Sequence, residues 1–198
     1  MRHARARGHM LIKQVCAEPQ LLRGRTATVC AENFANRVMS RARKRYGEFR
    51  HWIGLEEEGS DTPFEVLIRT GAPRATDTFH VVDDLTIGHD GHVVSRFLAS
   101  GIRHVEGAKE RLRTLSEGQT LFLRDEQENK VNSRAILIDV RDGEAVGWVP
   151  DWLLEDVHHL RRQTAEFQIY VERINPDAPS HLQLLCRIEA SVETPSGL

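Results

Sequence analysis

The chain has 198 residues, 40% apolar and 28% charged, a globular make-up sized for one ordinary domain or two small ones. No stretch reaches the roughly 18 apolar residues of a membrane span, and three scattered cysteines (Cys16, Cys30, Cys186) argue against both a disulfide framework and a cysteine metal site. The net charge of −2 is uneven: residues 1–60 carry 12 Lys+Arg against 6 Asp+Glu, whereas residues 61–198 carry 15 against 23. The acidic body excludes a broad, non-specific DNA-coating face, so any nucleic-acid contact must be local or made by the N-terminal third. The basic start lacks the apolar core of a signal peptide, and the expected setting is a reduced cytoplasm.

Residues 1–30 lack periodicity and read as irregular. Residues 31–55, "AENFANRVMSRARKRYGEFRHWIGL", read as a basic helix broken near Gly47, with Phe34, Val38, Ala42, Phe49 and Ile53 at near-helical spacing. Its arginines and Lys44 form either a solvated face or a phosphate-contacting surface, for which Arg41, Arg43, Lys44 and Arg45 are the candidates. A polar linker, "LEEEGSDTP", closes this leader at residue 63.

From residue 64 the pattern is β. "FEVLIRT" (64–70) and "TDTFHVVDDL" (76–85) read as strands, "HDGH" (89–92) as a turn, and "VVSRFLASGIRHV" (93–105) as a further strand. His89 and His92 flank an Asp-Gly hairpin tip, with no third metal ligand visible. "EGAKERLRTL" (106–115) is a short helix, and strands follow at 120–126, 134–140 and 144–149. A helix over 150–162 and strands over 165–174 and 182–190 complete the pattern, with 191–198 as a loose tail. Short strands at regular spacing with two short helices predict an α+β, mainly β fold: a small barrel or strongly curved sheet plugged by its helices.

No nucleotide-binding P-loop, GxSxG, HExxH or paired CxxC motif is present, so no cofactor, metal or catalytic residue is expected. His158 and His159 are adjacent on a helix, and their side chains diverge by about a third of a turn.

The segment 101–190 resembles a HIRAN domain. The resemblance rests on "GIRHVEGAKERL", "GQTLFLRDEQEN", "RAILIDVRDGEAVGWVPDWLLEDV" and "VERINPDAPSHLQLLCRIEA". A second stretch, "FANRVMSRARKRYGEFRHWIGL" with "PFEVLIRTGAPRATDTFHVV", resembles the leader found ahead of HIRAN in bacterial stand-alone members, so residues 31–63 are expected to form a helical leader and linker and 64–100 a β leader packed on the barrel. The resemblance implies an OB-like barrel. In eukaryotes, HIRAN is fused to helicase-like remodelling proteins and seeks free 3′ ends of single-stranded DNA. The bacterial proteins are inferred binders of DNA ends or damaged DNA, which places this chain in DNA repair.

Carried over by position, the family's basic-aromatic pair falls on Arg103-His104. The family loop Asn-Pro-Tyr-Asp-x-Asn-Ala becomes Asn129-Lys130-Val131-Asn132-Ser133-Arg134-Ala135. Val131 replaces a stacking tyrosine, a surface worth about 1–3 kcal/mol per base. Asn132 replaces the acid that holds the 3′-hydroxyl, and it bonds without charge assistance. Lys130 and Arg134 add positive charge, which implies a weakened end site leaning on phosphate.

Trp148 falls beside the family's groove, either as core with its indole N–H on a backbone carbonyl or as a stacking surface. Trp152 is placed to cover it from outside. The candidate nucleic-acid contacts are thus Arg103, His104, Asn129, Lys130, Asn132, Arg134 and Trp148, on one positively charged trough. Three functions are compatible: a non-catalytic DNA-binding module, a protein-interaction module with a degenerate groove, or an uncharacterised hydrolase.

Overall fold

In the computed structural model, residues 10–14, 37–72, 79–83, 85, 88 and 90–192 are described. Alternating apolar residues in the C-terminal half pair into one six-stranded antiparallel sheet. Its strands are β3 (His92–Leu98), β4 (Thr120–Asp125), β5 (Ile136–Asp139), β6 (Ala145–Trp148), β7 (Phe167–Ile174) and β8 (Leu184–Ser191). Their order is β3-β8-β7-β4-β5-β6. The sheet curls until its outer strands meet. Ser100, just past β3, exchanges two backbone hydrogen bonds with Trp148 of β6, at 2.9 and 3.0 Å. A Cβ on Gly147 would stand 2.8 Å from the Ser100 carbonyl oxygen, so this close approach requires glycine.

The inward residues Phe97, Leu121, Ile136, Ile138, Val171, Cys186 and Ile188 fill the curl. Helices α3 (Ala108–Thr114) and α4 (Leu154–Gln163) add Ala108, Leu112, Leu154 and Val157 to the same core. Cys186 is fully buried, and burial pushes its thiol above the ordinary range, which disfavours the thiolate.

The near-continuous apolar run of β8 is explained by burial on two faces. Cys186 and Ile188 point into the core, while Leu185 meets the leader helix α1 (Tyr46–Trp52) through Phe49, Trp52 and Ile53. Ile53 and Leu185 are fully buried, each worth about 1.5–3 kcal/mol. Asn175 Nδ2 donates to the Trp52 carbonyl oxygen at 3.0 Å across the same junction.

The leader departs from the sequence reading in four places. The 64–70 segment is not a strand but helix α2 (Pro63–Thr70): the Thr62 hydroxyl caps Glu65 N at 3.2 Å, Pro63 opens the first turn and Gly71 ends it. Those capping signals outweigh the apparent alternation of Phe64, Val66 and Ile68. The helix expected over 31–55 is confined to α1 among the described residues, and residues 37–45 form turns; 31–36 lie outside the description. Gly47 sits inside α1, and the chain breaks only at Gly54. A strand, β1 (Met10–Gln14), stands within the stretch read as irregular and pairs antiparallel with β2 (Phe79–Asp83). In the barrel, the strand expected to run to residue 105 stops at Leu98. The tail from residue 193, and His89, lie outside the described residues.

Candidate nucleic-acid groove

Gly101 turns the chain out of the sheet with φ +67°, and Ile102–His104 form a single 3-10 turn. This turn presents Arg103 and His104 to solvent, with Arg103 Nε donating to His104 Nε2 at 2.9 Å. The Trp148 ring lies directly on Gly101: a Cβ there would be 2.4 Å from the indole. Any other residue at 101 would thus suffer both left-handed strain and a steric clash.

Trp148 is half-buried. Its indole Nε1 donates to the Glu126 carboxylate at 2.8 Å, not to a backbone carbonyl. Asn129 Nδ2 donates to the same Glu126 oxygen at 2.6 Å. The Asn129 side-chain oxygen then accepts from the backbone N–H groups of Val131 and Asn132, at 2.9 and 3.1 Å. Asn132 Oδ1 accepts from Arg134 N at 3.0 Å, and its Nδ2 donates to Asp151 at 3.2 Å. His158 of α4 meets the Arg134 carbonyl at 3.0 Å. The loop 129–134 is therefore pinned at both ends to the aromatic and to the helix that follows it. Its tip carries Lys130, Val131 (93% exposed) and Arg134 outward.

Asn129, Asn132 and Trp148 thus share one hydrogen-bonded network, with Arg103-His104 adjoining through Gly101. Two participants were not among the candidates. Glu126 is the hub of that network; nothing in its sequence context distinguished it from its acidic neighbours. Asp151, the acid that follows Pro150 at the helix start, is the partner of Asn132. With Glu126 and Asp151 bonded into this network, the charge of the site is mixed and not uniformly positive as expected; Arg103, Lys130 and Arg134 are exposed.

The leader's basic residues divide. Arg41 and Arg50 meet the buried Asp61 at 3.2 and 3.4 Å, and Tyr46 donates its hydroxyl to Asp61 at 2.8 Å. The Tyr46 hydrogen bond, then the Arg41 and Arg50 charges, hold the Asp61 pKa below its ordinary value, against the opposing effect of desolvation. Arg45 binds Glu48 at 2.7 Å and lies over the Trp52 ring. Arg43 points instead into a cleft of about 550 Å³ between leader and barrel. Trp152 also belongs to this cleft. It does not shield Trp148 from outside, because its indole packs toward the leader, 2.9 Å from where a Gly71 Cβ would be. His181 lies on the barrel side of the cleft; burial, then the charge of Arg103, lowers its pKa.

A curled antiparallel sheet with a pinned polar loop beside a half-buried tryptophan has the make-up of a binding module. The chain belongs to the HIRAN domain family, whose model matches residues 92–193, and HIRAN domains are DNA-binding modules. Among solved structures, a protein from Lactobacillus plantarum is 19% identical, covering 50% of this chain and 99% of its own, with a TM-score of 0.39. The HIRAN domain of human HLTF is 14% identical, covering 54% of this chain and 84% of its own, with a TM-score of 0.40. No curated protein matches the chain. No helix among the described residues is long and apolar enough to cross a membrane.

Proposed function

We propose that the protein is a non-catalytic module that binds single-stranded DNA at its 3′ end, in a DNA-repair setting, through a weakened form of the family's site. The observation that carries this reading is the arrangement around Trp148. Its ring is half-buried, held between Gly101 and Glu126, beside Arg103-His104 and a hydrogen-bonded loop bearing Lys130 and Arg134. A fixed aromatic next to exposed cations suits a base and its phosphate. The weakening has two sources: the tip side chain is Val131, and Asn132 is partly engaged by Asp151.

Titrating single-stranded oligonucleotides against tryptophan fluorescence tests this reading. Affinity should fall as salt rises, because bound phosphates release counterions. Arg103→Ala should cost roughly 1.5–3 kcal/mol of binding if its guanidinium meets a phosphate. Wild-type affinity in that variant would remove Arg103 from the site.

A second reading, a protein-interaction module, is favoured by specific features of the same surface. Two carboxylates sit in the groove, and Val131 and Phe122 are exposed at 93% and 54%. Capture of a partner that survives nuclease treatment, together with no oligonucleotide binding, would favour it.

A further inference from the structure

The cleft between leader and barrel shares its walls with the groove just described. Ser100 and Gly101 line the cleft, yet Ser100 pairs with Trp148 and Gly101 lies under the Trp148 ring. Asp151 also lines the cleft while accepting from Asn132 of the loop. The cleft volume of about 550 Å³ lies within the roughly 300–1,000 Å³ of small-ligand sites.

The chemistry of the lining suits a nucleotide. Arg43 is exposed on a turn, and its guanidinium has no hydrogen-bond or ion-pair partner among the described residues. It lines the cleft, where Asp151 is the one carboxylate among the described lining residues; Arg37 lines it too but donates to the Ala72 carbonyl oxygen at 2.8 Å. The Trp152 indole and the His181 ring also line the cleft, an aromatic surface and a hydrogen-bonding edge. Phe49, Leu98 and Leu182 add apolar lining. A cation together with aromatic and apolar surface is what a phosphate and its attached base require.

We propose that the leader–barrel cleft is a second chamber of the DNA groove, holding the nucleotide next to the one at Trp148, with Arg43 as its phosphate contact and Trp152 as its stacking surface. The inference rests on the DNA-binding reading above, and it gives the leader a direct part in binding. It also separates Arg43 from its neighbours: Arg41 and Arg45 are neutralised by Asp61 and Glu48, whereas Arg43 is available.

The test uses the full chain and a thymidine octanucleotide with a free 3′-hydroxyl, followed by fluorescence anisotropy across a salt series. Four proteins are compared: wild type, Arg43→Glu, Trp148→Ala and Arg113→Glu. Arg113, exposed on α3 and outside cleft and groove, controls for the same change in net charge. The Arg43 guanidinium has no hydrogen-bond or ion-pair partner among the described residues, so Arg43→Glu should fold normally, which circular dichroism checks. The expected result is at least about a tenfold loss for Arg43→Glu, with a salt slope shallower by about 0.7 for one lost phosphate. Arg113→Glu should lose less than about twofold for a distant, screened charge. Equal losses in the two charge reversals would overturn the second chamber in favour of a diffuse field. Wild-type binding by Arg43→Glu alongside a loss in Trp148→Ala would overturn it while leaving the groove intact. No binding by the wild type would sink both proposals.

Discussion

Arg41, Arg45 and Arg50 in the leader each meet an acid, whereas Arg103, Lys130 and Arg134 around the groove meet none among the described residues. By sequence the leader is the more basic region, with 12 Lys+Arg against 6 Asp+Glu over residues 1–60. Three of its arginines are nevertheless paired with acids of the leader itself, Arg41 and Arg45 at the surface and Arg50 partly buried. The groove has fewer cations, and they stay exposed beside a half-buried tryptophan. The contrast teaches that a density of basic residues in the sequence does not by itself leave charge available at the surface.

The largest expected effect falls on the groove's foundation. Gly101→Ala places a methyl against the Trp148 ring at a left-handed turn. It should destabilise the barrel by about 1–3 kcal/mol, the cost of overpacking. Denaturant unfolding reads it, and a variant as stable as wild type would mean that the ring does not rest there. Next, Trp148→Ala should cost about 1–3 kcal/mol of oligonucleotide affinity with the fold retained. Unchanged affinity would assign the indole to a purely structural role.

A smaller effect, opposite in sign, is expected at the hub. Glu126→Gln can still accept from Trp148 and Asn129 but carries no charge. With a phosphate about 6 Å away in a water-like dielectric, affinity should rise by ~0.7 kcal/mol, roughly threefold. A loss would show that the carboxylate itself contributes to binding. The smallest effect belongs to the leader: Arg45→Ala should leave DNA affinity within about twofold of wild type, as expected for a charge already paired with Glu48. A loss as large as that of Arg103→Ala would abolish the contrast between the two regions.

The leader should instead report on pH. The folded Asp61 pKa is lowered, so its contribution to stability is complete above the unfolded value of about 3.9 and is lost as pH falls through the folded value. The stability gap between wild type and Asp61→Asn should be constant near neutrality and shrink in that acidic window. Urea unfolding at several pH values measures it, and a gap that persists unchanged into strong acid would contradict the ion-pair explanation.

Much of the barrel was legible because its short apolar runs are set off by polar turns such as Arg141-Asp142-Gly143. β5, β6, β7 and β8 fall within two residues of the expected ranges, and the helices at 106–115 and 150–162 appear as α3 and as a 3-10 turn leading into α4. The leader was not, because "FEVLIRT" satisfies a period of two while its flanks, Thr62-Pro63 and Gly71, specify a helix. In the site, family resemblance pointed to Arg103 and to the loop, but the linking hydrogen bonds are long-range. Glu126 and Trp148 are 22 residues apart, and Asn132 and Asp151 are 19 apart. Residue types at such separations carry no spacing signal. Likewise, the cleft that holds Arg43 and Trp152 exists only once the leader packs on β8.

The central claim, that the groove takes a DNA 3′ end, is tested most directly by paired titrations of one oligonucleotide with a free 3′-hydroxyl or a 3′-phosphate. Tighter binding of the free end, with the difference lost in Trp148→Ala, is predicted. Superimposable curves for the two ends would contradict it.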